Sequence, residues 1–192
     1  MAIDTIEAIE KTIDSRYRLK RKSRDWLLDE SDNRIRIRVP DRNSIAFSLD
    51  KKNERPFAFF SGNPPEGIAK ICDAFLFCIY EGKGYLFIIE VKSAHKERSE
   101  KQLINGKFFC DWLLSLCREH GYLNIEFSVV SLLLWEPRDR EVTYQLASGR
   151  RSDNEDPDIE RKPKTKHFCL RLEVKNRRQI ALQELMSYVT VS

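Results

Sequence analysis

Apolar and polar positions along the chain repeat with a helical period at first, then an extended one, then a helical one again. Isoleucines at 3, 6, 9 and 13, with Glu7, Glu10 and Lys11 on the other faces, predict a short amphipathic helix over Ala2 to Asp14. Arg34, Arg36 and Arg38 alternate with Ile35, Ile37 and Val39, as a strand with one buried face would. A further strand is expected over Ser44 to Leu49, and Ser61-Gly-Asn-Pro-Pro-Glu-Gly67 breaks any regular element and reads as a loop. Ile71 to Tyr80 and Tyr85 to Lys92 are two runs of β-formers, and the intervening glycines predict a hairpin closed by a Gly82-Lys83 turn. Arg98 to His120 carries apolar residues at 103, 104, 108, 109, 112, 113 and 116, the stripe of a long helix ended by Gly121, with Phe108, Phe109 and Trp112 expected in its core. Ile125 to Trp135 reads as a buried strand stopped by Pro137, Glu141 to Leu146 as a polar strand, and His167 to Lys175 as an alternating strand. Gln179 to Val189 reads as a closing amphipathic helix.

This order places the chain in the α/β class, bordering on α+β, with a central mixed sheet flanked by helices. At 192 residues it has room for one core of ordinary size, so a single domain over residues 1–192 is expected. Residues 44–135 form the centre of that domain, and 149–166, which mix both charge signs with hardly any apolar residue, form a charged loop. The 41% apolar content suffices for a core, and 33% charged residues supply a water-facing surface. The longest apolar run, Ala74 to Tyr80, is seven residues, against the roughly 18 needed to span a bilayer, so no membrane partner is expected. Acidic residues stand where a secretory signal would be basic, so cytoplasmic residence is the expectation. Five cysteines are odd in number and lack the paired spacing that grips zinc, and they read as reduced, buried small hydrophobes.

The hairpin concentrates the chemistry. With a Gly82-Lys83 turn, paired residue numbers sum to 165, Asp73 faces Lys92, and Glu90 lies diagonally on the same sheet face. A slip of two residues keeps the three together, whereas a slip of one separates them. Tyr85-Leu-Phe-Ile-Ile89 is apolar at both parities, the pattern of a strand covered on both faces. Carboxylates persist in such a setting when paired or bound to metal, and two close together favour a divalent cation. Asp73 and Glu90 offer hard oxygens suited to Mg²⁺, and Lys92 beside them would position a water or balance charge growing on a phosphate.

Asp73, followed after sixteen residues by Glu90-Val91-Lys92, resembles the PD-(D/E)XK nuclease superfamily, whose pattern is an Asp opening one strand and Glu-x-Lys on the next. The resemblance spans about residues 67–121. It implies a restriction endonuclease-like core with a mixed four-stranded sheet, Mg²⁺ or Mn²⁺ as cofactor, and phosphodiester hydrolysis in nucleic acid, with DNA the expected substrate. It also implies that the Val91 carbonyl joins Asp73 and Glu90 as a metal ligand, and that Gln102 on the following helix is a candidate catalytic residue. Microbial or phage defence, or DNA processing, is the setting the resemblance suggests, acting as a homodimer or within a larger complex. The alternative expectation is a non-catalytic nucleic-acid-binding or complex-assembly module that retains the fold.

Net charge of +4 is only mildly basic, but its distribution is uneven. Arg16 to Arg42 holds ten bases against five acids. Arg16, Arg18, Lys20, Arg21, Lys22, Arg34, Arg36 and Arg38 are therefore candidate phosphate-backbone contacts, joined by Lys96 and Arg98. Lesser candidates are Glu7 or Glu10 as an added metal-shell carboxylate, and Ser93 and Lys107 facing the substrate. His95, His120 and His167 lack the spacing for zinc or a nucleophilic triad. Leu172-Glu-Val-Lys175 repeats the motif on a strand whose charges share one face, which reads as an ordinary solvated strand.

Overall fold

The isoleucine spacing at the start of the chain produces a helix that buries one stripe against a sheet. The computed structural model describes residues 4–30, 33–39, 43–51, 54, 57, 59–92, 99–135, 169–173 and 179–189. Within these, α1 spans Thr5–Thr12 and buries Ile6 and Ile9, and a 3₁₀ turn at Ser15–Tyr17 follows. Three short strands come next: β1 (Arg21–Lys22), β2 (Asp25–Glu30) and β3 (Asn33–Arg38). Then come β4 (Ser44–Phe47), β5 (Ala74–Tyr80), β6 (Lys83–Lys92), the long helix α2 (Ser99–Glu119) and β7 (Phe127–Trp135). β8 (Cys169–Glu173), β9 (Gln179–Ala181) and α3 (Leu182–Val189) complete the described chain.

The fold mixes helix and strand as expected, but with two sheets rather than one. A five-stranded sheet runs β4-β5-β6-β7-β8, and a four-stranded sheet runs β1-β2-β3-β9. β5 runs antiparallel to both β4 and β6, α2 crosses over, and β7 and β8 run parallel to β6. Strand β2 and the split of Gln179 to Val189 into β9 plus α3 depart from the sequence expectation. The reason is tertiary: Gln179–Ala181 pairs in parallel with Arg36–Arg38, and that ladder holds extended three residues that helical periodicity would have wound. The expected strand over Glu141 to Leu146, the loop at 149–166, and Ser93, His95, Lys96, Arg98, His167 and Lys175 lie outside the described residues.

Period-2 alternation gives the central sheet two apolar faces, and each finds a different cover. Phe75, Phe77, Leu86 and Ile88 pack with Ile6 and Ile9 of α1 and Leu103, Cys110 and Leu113 of α2. Leu76, Phe87, Ile89 and Val91 pack on the other face with Trp26, Ile35 and Ile37 of the second sheet and with Leu185 and Met186 of α3. The molecule is thus layered helices, sheet, sheet. The layers are stitched at the β4 edge, where Trp26 Nε1 donates to Ser44 Oγ at 3.0 Å and the Leu19 amide donates to the Ala46 carbonyl at 2.9 Å. No helix among the described residues is long and apolar enough to cross a membrane.

The hairpin turn sits one residue earlier than the glycine pattern suggests. Tyr80 pairs with Lys83 and Ala74 with Ile89, so paired numbers sum to 163 and the turn is Glu81-Gly82. Both turn residues have positive φ, 49° at Glu81 and 74° at Gly82, the handedness that matches the twist of the flanking strands. A left-handed conformation disfavours glutamate by roughly 1 kcal/mol and suits asparagine far better. Glu81→Asn is therefore expected to raise stability by about 0.5–1 kcal/mol, read as a higher urea midpoint at unchanged slope. A lower midpoint would place the turn elsewhere.

Candidate functional site

The shifted turn moves the hairpin register by two residues, which preserves side-chain parity. The observed ladder ends at Ala74 and Ile89, the chain neighbours of Asp73 and Glu90, so the shifted register brings Asp73 beside Glu90 rather than Lys92. Lys92 remains on the same face, two residues further along β6. Glu90 and Lys92 share the parity of Ile88, on the face covered by α2, while Asp73 stands in the bend just before β5 and is tied to β6 by its own side chain. They stand at the carboxyl end of β6, beside parallel β7, where crossover connections in α/β sheets leave room for ligands.

Each side chain is held by a specific contact. Asp73 Oδ2 accepts the Val91 amide hydrogen at 2.6 Å, so the carboxylate reaches across to β6 and its orientation is fixed by backbone. The Glu90 side chain is 0% exposed, and the Lys92 ammonium forms an ion pair with its carboxylate while keeping 25% of its own side chain in contact with solvent. That pairing is what a buried carboxylate requires, because an uncompensated charge there would be expelled by desolvation. Val91 itself points to the opposite face and is buried among the second-sheet residues. Among the described residues no group of three or more His, Cys, Asp or Glu is arranged to hold a metal ion. Asp73 and Glu90 are two carboxylates, one short of such a group.

Helix α2 builds the wall of this site. Gly106 faces the sheet so closely that a Cβ would lie 2.7 Å from Ile88 Cγ2 and 2.8 Å from Cys72 Sγ, so only glycine lets the helix approach here. One turn earlier, Gln102 Nε2 donates to the Ile71 carbonyl at 3.1 Å. Asn105 Nδ2 reaches the Gly67 and Lys70 carbonyls, at 2.8 and 2.6 Å. These amides fasten residues 67–71 to the helix and thereby place Asp73. The structure thus gives Gln102 a positioning contact. Asn105 and Gly106 were not anticipated, although a glycine inside a helical stripe is a recognisable signal of close packing.

The other sequence candidates fall elsewhere. Glu7 pairs with Lys11 at 2.7 Å and Glu10 with Arg18 at 3.0 Å, both at the surface of α1. Lys107 pairs with Asp111 on α2. Arg16 pairs with Asp14 at 3.1 Å, and Arg21 lies over the Trp26 ring at 5.0 Å. Lys20 and Lys22 are exposed. Arg38 pairs with Asp25 at 3.1 Å, Arg36 is half-buried, and Arg34 occurs in β3 opposite Asp29. Because Ile35 and Ile37 face the central sheet, Arg36 and Arg38 face away from it, on the layer opposite α2 and the carboxylates. Arg36 and Arg38 therefore stand on a different surface from Asp73 and Glu90, whereas Arg18 stays with α1 on the helix layer. Of the repeated motif, Leu172 is buried on β8, two strands from β6, while the remaining side chains are outside the described set.

Compared with known protein families, curated proteins and solved structures, the chain matches none.

Cys72 sits directly before Asp73. Burial above all, then Cys110 and the Glu90 and Asp73 carboxylates, push its thiol well above the ordinary range. Burial likewise raises Cys110 and lifts Cys78 to about 12. The unfolded chain releases these protons near pH ~8.5 while the folded chain retains them, so folding stability is full below that pH and falls as pH rises toward 12. The urea midpoint is expected to drop between about pH 8 and pH 10, and Cys72, Cys78 and Cys110 should resist iodoacetamide until the chain unfolds. Rapid labelling of the folded protein at any of the three would contradict the burial.

Proposed function

We propose that this chain is a metal-dependent nuclease that hydrolyses phosphodiester bonds in nucleic acid, DNA being the first substrate to test. The observation that carries the reading is the gathering of Asp73, whose carboxylate accepts the Val91 amide, with the Glu90–Lys92 ion pair at the carboxyl end of β6. The resemblance to the PD-(D/E)XK superfamily gains support from the order helix, three antiparallel strands, crossover helix, parallel strand in α1–β4–β5–β6–α2–β7, with β1–β3 inserted after α1. The donor set of two carboxylates and the Val91 carbonyl is all hard oxygen, which fits Mg²⁺ or Mn²⁺. A divalent ion bound there would lower the pKa of a coordinated water and offset charge on the phosphate.

The chain's own groups have distinct roles in this reading. The Val91 amide holds Asp73 in place, so that carboxylate is preorganised. Burial of Glu90 keeps bulk water from its carboxylate. The partly exposed Lys92 ammonium offers positive charge to an incoming phosphate oxygen, a contribution that strengthens as negative charge develops. Lys20 and Lys22 on the opposite layer enter as a separate phosphate-contacting surface.

A second reading, a non-catalytic nucleic-acid-binding or assembly module, is favoured by one observation: Lys92 already neutralises the buried Glu90 without any metal. Incubation with supercoiled plasmid, linear duplex, single strands and RNA, each with Mg²⁺, Mn²⁺ and EDTA, separates the two. The nuclease reading expects metal-dependent cleavage that falls at least ~100-fold in Asp73→Asn, Glu90→Gln and Lys92→Ala, with nucleic-acid binding kept. Binding without cleavage in every metal, together with no calorimetric heat of Mn²⁺ binding, would favour the module. Neutralising Lys20 and Lys22 to Gln is expected to weaken retention of duplex DNA and flatten its salt slope by about 0.9 per lost contact. Cleavage per bound molecule should not change, and an unaltered salt slope would remove these lysines from the interface.

A further inference from the structure

The sequence expectation that Phe108 and Trp112 lie in the core is not met. They are 63% and 58% exposed, whereas Phe109 between them packs against Phe47 and Phe75. The reason is rotational. The contact line of α2 with the sheet runs through Leu103, Gly106, Cys110, Leu113 and Cys117, and at 100° per residue Phe108 falls on the diametrically opposite line and Trp112 about 40° from it. Leu116, 39% exposed, extends the same outer surface. Nearby, Phe59 is 80% exposed at the end of an aromatic chain that runs through Phe57 to Phe109, and Ile68 is exposed on the segment that Asn105 fastens to the helix. Among the described residues, five of the six exposed large hydrophobics thus surround one helix. Such a concentration is unusual for a surface that meets only water.

The charges on this face identify its occupant. Lys101 lies seven residues before Phe108 and Glu119 seven after Trp112, both exposed and both on the outer line. The face therefore reads base, aromatic, aromatic, acid, with its centre at position 110. Turned end for end, it presents acid, aromatic, aromatic, base, which is its own complement. An isologous two-fold contact needs that symmetry, and a partner of unrelated sequence does not.

We propose that α2 is a homodimer interface in which two copies of this chain pair their outer faces antiparallel about a two-fold axis that crosses the helix at the level of position 110. Phe108 and Trp112 of each copy interdigitate at the axis. At either end Lys101 meets the partner subunit's Glu119, about 13 Å from the centre at 1.5 Å per residue. The antiparallel arrangement also opposes the two helix dipoles favourably. A single helix pair covers less than the roughly 800 Å² per partner of a standard interface, so Phe59 and Ile68 flank it and complete the apolar area. The association expected from such a contact is in the micromolar range, ~1–100 µM.

Sedimentation equilibrium of the full chain between about 1 and 200 µM tests the proposal, in a range set by that expected affinity. The expected result is a reversible monomer–dimer equilibrium that Trp112→Glu abolishes with the far-ultraviolet circular dichroism unchanged. Because Trp112 is largely exposed, that substitution leaves the core alone. The register is tested by charge reversal. Lys101→Glu and Glu119→Lys are each expected to weaken dimerisation roughly tenfold, since each removes two attractive pairs and creates two repulsive ones. The double variant restores the affinity. A wild-type chain monomeric at 200 µM overturns the proposal, as does a dimer indifferent to Trp112→Glu, and a double variant no better than the singles overturns the antiparallel register. The outcome is independent of cleavage, so failure here and failure of the nuclease reading are distinguishable.

Discussion

A single constraint governs the centre of this molecule: β6 is covered on both faces, so any charge it carries must be compensated within the fold. Leu86 and Ile88 lie under α2, and Phe87, Ile89 and Val91 lie over the second sheet. Glu90 continues that strand with no exposed side-chain surface, and its stability depends on the Lys92 ammonium against it. Asp73 is oriented in turn by the Val91 amide. The chain therefore concentrates two carboxylates and one ammonium where the surrounding medium amplifies their interactions, which is the condition for both a structural ion pair and a reactive centre.

Helix α2 serves two surfaces at once. Its inner line relies on Gly106 for close approach, and Gln102 and Asn105 carry that approach into the loop preceding Asp73. Its outer line carries the aromatic pair. A rigid element that touches the carboxylate loop on one side and a second copy on the other would couple assembly to site geometry.

Much of the fold was legible because period-2 and period-3.6 patterns report local geometry directly. The helices at α1 and α2 and the strands β3 to β8 follow from spacing alone. Four features escaped: β1, β2, β9 and the choice of hairpin turn depend on pairing partners or on a backbone handedness that several residue pairs near Gly82 could have supplied.

The sequence by itself determined that Glu90 and Lys92 share one face of β6, at the end of the hairpin where Asp73 enters β5. Side chains alternate strictly along a strand, and an even slip of register cannot undo that alternation, so the turn could shift and leave the constellation intact. Tertiary structure alone decided the rest. It tied Asp73 to the Val91 amide, put the arginine strand β3 on the opposite layer, and left Phe108 and Trp112 facing outward. Helical periodicity says which residues share a face, but where apolar residues nearly encircle a helix, the partner it packs against chooses which of them are buried. Here that choice fell to Gly106, the one position that lets the helix settle close against the sheet.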